Sequence, residues 1–81
     1  MNIEYKESLW SLDPQRAISD IEQLRENEYV FYPESDYGHG FIEYKEGFYK
    51  CYEIPMYGGE PQFNFQYLEA EEAFNEVSSW T

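Results

Sequence analysis

Eighty-one residues leave room for one domain, near the size at which a hydrophobic core alone is marginal. Seventeen Asp and Glu against five Lys and Arg give a net charge of −12, which disfavours contact with nucleic-acid phosphates or anionic lipid and attracts basic surfaces. Disorder is disfavoured too, because 42% of the chain is hydrophobic and 21% aromatic. A lone cysteine, Cys51, offers no internal disulfide, and the first residues lack an apolar segment behind a basic start. The expectation is a soluble, unexported protein of a reducing cytoplasm.

Residues 1–12 mix Tyr5, Leu9, Trp10 and Leu12 with charge and read as a docked irregular segment. Asp13-Pro14 then starts a helix: Asp13 caps the free N–H groups, and Pro14 suits the first position, where its missing N–H costs nothing. Ala17, Ile18, Ile21 and Leu24 make one apolar stripe, with Asp20, Glu22, Gln23 and Glu26 off it, so the helix is expected over 14–26 with Asn27 as its stop.

From Glu28 the residues favour strand, through Tyr29, Val30, Phe31 and Tyr32 up to Pro33, and the run ESDYGHG reads as a long turn. Phe41–Lys45 and Phe48–Ile54 flank Glu46-Gly47, a two-residue hairpin loop. Pairing Lys45 with Phe48 sets Glu43 opposite Lys50, a favourable cross-strand charge pair. The same register gathers Ile42, Tyr44, Tyr49 and Cys51 on a core face, leaving Phe41, Phe48 and Tyr52 outside beside Glu43, Lys45 and Lys50.

Pro55 ends that strand, and residues 56–61 form a Gly-rich loop. Gln62–Tyr67 alternates polar and aromatic, as a strand with one buried face should. Ala70, Ala73, Phe74, Val77 and Trp80 recur at helical spacing, so residues 68–80 read as a closing amphipathic helix. The expected class is α+β in the order α-β-β-β-β-α, a small antiparallel sheet of three to four strands flanked by an N-terminal and a C-terminal helix in one domain over 1–81.

Chemistry finds little footing. One His and one Cys cannot supply a zinc site, and no calcium-loop spacing occurs, so neither metal nor cofactor is expected. The remaining nucleophile pair, Cys51 and His39, joins a core-face thiol to a turn histidine between two glycines, and no catalytic residue is assigned. Gly58-Gly59 is not followed by a Gly-Lys-Ser/Thr run, and Glu60 would repel a phosphate.

Charge is uneven instead: no Lys or Arg follows Lys50, whereas Glu53, Glu60, Glu69, Glu71, Glu72 and Glu76 do. Helical spacing puts Glu69, Glu72 and Glu76 on one side of the last helix, which permits nucleic-acid mimicry; it is also what a solvated face with acidic residues near its N-terminus looks like. Tyr57, between Met56 and the glycines, is a projecting anchor. The expected partner-binding set is therefore Tyr57, Glu60, Glu69, Glu71, Glu72 and Glu76, with Phe48 and Tyr52 on the hairpin, where a homodimer is the other use of exposed aromatics.

In length, acidity and helix–sheet–helix order the chain resembles the small acidic inhibitors of phages and mobile elements, including anti-CRISPR proteins that act as DNA mimics. The resemblance implies a non-enzymatic inhibitor of a basic, nucleic-acid-binding effector or nuclease, without direct binding of nucleic acid or membrane. The alternative is an immunity protein or antitoxin that neutralises a basic toxin.

Overall fold

The computed structural model describes residues 2–6, 12–35, 38–55 and 59–78. Its elements run β1 (Ile3–Glu4), α1 (Pro14–Glu22), β2 (Tyr29–Ser35), β3 (Gly38–Lys45), β4 (Phe48–Ile54), β5 (Gln62–Tyr67) and α2 (Ala70–Ser78). The class is α+β, as the residue pattern implies. Among the described residues, however, the sheet has five strands in sequential order: β2 to β5 form an antiparallel meander, and β1 adds to the β2 edge in parallel.

The additional strand comes from the segment expected to be irregular. Ile3 aligns with Val30 and Glu4 with Phe31, while the Asn2 side chain accepts from the Tyr29 N–H at 3.1 Å. Tyr5 then turns inward, stacks on Tyr32 at 5.6 Å and donates its hydroxyl proton to Asp20 of α1. The Arg16 guanidinium lies 5.7 Å from the Tyr5 ring centre. Two strand residues carry too little pattern to be read as a strand, and the parallel ladder is made by their tertiary setting.

Helix α1 begins as its sequence dictates. Asp13 is extended, its carboxylate accepts from the Gln15 N–H at 3.2 Å, and Pro14 takes the first position. It stops four residues earlier than the apolar stripe suggests. Leu24 donates to the Ile21 carbonyl at 3.1 Å in a tightened turn, and Asn27, with φ of 68°, donates to the Tyr44 carbonyl at 2.8 Å. Tyr44 returns the favour to Glu28 at 3.0 Å. Backbone bonding to β3 thus replaces a further helical turn, while Leu24 stays buried.

The run expected as a long turn after Pro33 is mostly strand. β2 continues to Ser35 and β3 opens at Gly38, with the register slipping between Tyr32 and Ser35. Such a slip is where a strand tolerates a proline, which cannot donate to the ladder.

The β3–β4 hairpin has the expected register, Lys45 opposite Phe48, Glu43 opposite Lys50 and Ile42 opposite Cys51. Both turn residues have positive φ, 58° at Glu46 and 82° at Gly47, as a twisted two-residue turn requires. One core joins Ala17, Ile21 and Leu24 to Val30, Tyr32, Ile42 and Cys51 of the sheet and to Ala70, Ala73, Phe74 and Val77 of α2. Both helices therefore cover the same face of the sheet. Trp80, the last residue of the expected stripe, lies outside the described residues.

On β5 the alternation misleads. Cys51 pairs with Phe65 but Tyr52 with Phe63, so Asn64 is an extra residue and forms a bulge. The bulge sends Phe63 to the outer face against Tyr52, at 5.7 Å, and Phe65 to the helix side against Tyr67, at 5.0 Å. Neither is buried: Phe63 is 52% and Phe65 56% exposed.

Candidate functional site

The sheet gives the molecule two unlike surfaces, and the expected partner-binding residues divide between them. On the helix side, α1 and α2 converge where Glu22, the last residue of α1, meets the start of α2. There a groove of about 300 Å³ is lined by Glu22, Glu69 and Glu71 and by Ile18, Tyr49, Leu68 and Ala70. Among the described residues, Leu68 is the most open of the large apolar residues, at 71% exposure. Partial burial pushes the Tyr49 phenol upward, with Tyr44 and then Glu22 adding to it. The groove thus combines an apolar anchor with three negative charges.

Glu69, Glu71 and Glu72 are exposed, and none takes part in an ion pair among the described residues. Glu71 and Glu72 occupy the first turn of α2, where the helix dipole favours them by about 0.3–1 kcal/mol each. Glu76 is half-buried one turn further on. Its charge, after burial, helps raise Cys51 and Tyr67.

Glu60 does not join this group. It is exposed before β5, whereas Glu69 follows it, and six strand residues span about 20 Å. Phe48 and Tyr52 do not join it either. They lie on the outer face, because Cys51 and Tyr49, which alternate with them along β4, face the core. Tyr57 lies outside the described residues. The described members of the expected set therefore fall in different places: Glu69 and Glu71 line the helix-side groove, and Tyr52 and Phe48 lie behind it across the sheet.

Among the described residues, no helix packs on the outer face. Phe31, Phe41, Tyr52 and Phe63 follow one another across four strands in register. Phe41 and Tyr52 stack at 4.7 Å and 15°, while Tyr29 meets Phe41 edge-on at 6.0 Å. Beside this ladder is a hollow of about 480 Å³ lined by Glu4, Tyr29, Phe31, Phe41, Glu43 and Ile54.

Residue pattern alone did not single out Glu22, Leu68 or Glu4. Glu22 carried the available signal, as a carboxylate off the apolar stripe of α1, but its meeting with Glu69 depends on how two helices dock. Cys51 behaves as a core residue: it is buried, its thiol faces the Ala73 carbonyl at 3.7 Å, and burial followed by Glu76 pushes it up to about 12.

No protein-family model, curated protein or solved structure matches the chain. Among the described residues, no helix is long and apolar enough to cross a membrane.

Proposed function

We propose that this chain is a non-enzymatic inhibitor that seats its helix-side groove on a basic protein surface of the kind that binds nucleic acid, and blocks that surface. The observation that carries the reading is the convergence of Glu22, Glu69 and Glu71 around an exposed Leu68. Lys and Arg side chains of a partner would meet the carboxylates while an apolar residue covers Leu68, so charge sets the rate and register of encounter and the apolar contact holds the complex. The net charge of −12 extends the attraction beyond the contact itself.

Glu22 supports the reading further. As the final residue of α1 it faces the negative end of the helix dipole and shares the groove with two carboxylates, so its local electrostatics are unfavourable. A charge that costs stability where it sits is well explained by attraction to a cation outside the molecule.

The test is capture from a bacterial lysate on the immobilised chain, in parallel with the triple variant Glu22→Gln, Glu69→Gln, Glu71→Gln. The wild-type chain should retain a basic, nucleic-acid-binding protein that high salt or excess oligonucleotide releases, and the variant should not. If the captured protein bound its DNA or RNA at full affinity in the presence of excess chain, inhibition by occupying that surface would be wrong. Retention of a basic toxin without nucleic-acid competition would point to the immunity or antitoxin reading.

A further inference from the structure

The outer face holds a second arrangement independent of the groove. Glu4 on β1 and Glu43 on β3 flank β2, whose Tyr29 and Phe31 lie between them with Phe41 alongside. Tyr29 presents its hydroxyl to Glu4 Oε1 at 3.4 Å. Among the described residues neither carboxylate has an ion-pair partner. The one cation in register with Glu43 is Lys50, and its ammonium lies against Glu46 at 3.6 Å. Aromatic rings and two carboxylates in one hollow are the chemistry that receives an organic cation.

We propose that this hollow binds the guanidinium of an arginine side chain presented by a partner protein. A guanidinium is planar, weakly hydrated and able to lie on a ring while its N–H groups meet carboxylates, whereas an ammonium holds its water more tightly. The apolar stem of the same side chain would rest against Ile54 and Phe41. The hollow opens onto the Phe41–Tyr52–Phe63 ladder, and Phe63 is half exposed, so an apolar residue beside the arginine has a surface to cover. That continuity fits a protein segment better than a free small cation. Aromatic sheet faces also stack single-stranded bases, but they do so within basic surroundings, and here the lining charges are carboxylates.

The experiment is a titration of the isotope-labelled chain with acetyl-Arg-Leu-amide, followed by backbone amide NMR. The neutral control is acetyl-citrulline-Leu-amide, and oligothymidylate is a third arm. The arginine peptide should give saturable shifts centred on Tyr29, Phe31, Phe41 and Glu43. Glu4→Gln and Glu43→Gln should each weaken binding about fivefold, the scale of one exposed charge contact. Glu69→Gln combined with Glu71→Gln should leave it unchanged, which separates this site from the helix groove. The unbound spectra of the variants report whether each retains the fold. The proposal is overturned if the citrulline peptide binds equally well, if Glu43→Gln folds and binds like wild type, or if oligothymidylate alone shifts these residues.

Discussion

Lys50 stands directly opposite Glu43 in the β3–β4 ladder, yet its ion pair is with Glu46, Nζ to Oε2 at 3.6 Å. The hairpin turn explains the choice. Glu46 takes a left-handed conformation, φ 58°, that brings it within reach of Lys50 and leaves Glu43 to the aromatic hollow. That conformation costs a non-glycine residue about 1 kcal/mol, and Asn tolerates it better. An exposed ion pair returns about 0–1 kcal/mol. Glu46→Asn is therefore expected to leave urea-unfolding stability unchanged or raise it by up to about 1 kcal/mol. The same change frees Lys50 to turn toward Glu43, so binding of the arginine peptide should weaken although the hollow itself is untouched.

Tyr32 is fully buried and its hydroxyl has no hydrogen-bond partner among the described residues. Burial, the neighbouring Tyr5 and then Cys51 and Asp20 hold the phenol neutral far above its ordinary range. The ring contributes by packing against Tyr5, but the lone hydroxyl has lost its water without replacement. Tyr32→Phe should thus be neutral or stabilising by about 1 kcal/mol, whereas Tyr32→Ala should cost about 3–5 kcal/mol, both read from denaturant midpoints. A loss of more than about 1 kcal/mol in Tyr32→Phe would mean that the hydroxyl has a partner after all.

Local rules were sufficient for the Asp13 cap, the Lys45–Phe48 register and the apolar stripe of α2, because each is specified within a few residues. They were insufficient for β1, for the early end of α1 and for the Asn64 bulge. Each of those depends on backbone bonds to a distant strand: Glu4 beside Phe31, Asn27 to Tyr44, and Phe63 shifted to oppose Tyr52. The same limit governs the site. Glu69 and Glu71 were legible as an acidic helix start, but their groove needs Glu22 from another helix, and the separation from Tyr52 needs both faces of a sheet.

The Cys51 thiol gives a pH dependence of definite sign. Its folded value is raised from 9.0 to about 12, so the folded chain keeps a proton that the unfolded chain releases above pH 9. The contribution is complete below pH 9 and is lost as pH rises toward about 12, by about 1.4 kcal/mol per pH unit for each such group. Tyr32, raised from 10.0, adds a fall of the same sign above pH 10. Urea midpoints should decline beyond pH 9, and Cys51→Ala should flatten the first part of that decline while lowering stability at neutral pH. Under native conditions at pH 8, iodoacetamide should label Cys51 only as fast as the core opens. Rapid labelling of the folded chain would contradict the buried, neutral thiol.

Glu22 offers the sharpest separation between stability and binding. It ends α1 at the unfavourable end of the helix dipole and lies in a groove with Glu69 and Glu71. Glu22→Gln removes both repulsions, so it should raise stability by about 0.3–1 kcal/mol at low ionic strength, with the gain shrinking as salt is added. Glu71→Gln should do the reverse locally, since Glu71 complements the start of α2. For a basic partner in the groove both substitutions weaken association, mainly through a slower on-rate and a smaller salt dependence. Opposite effects on the thermal midpoint with parallel losses of partner affinity are the expected outcome. If Glu22→Gln stabilised the chain and left partner affinity intact, the groove would be a solvated surface and the partner would sit elsewhere.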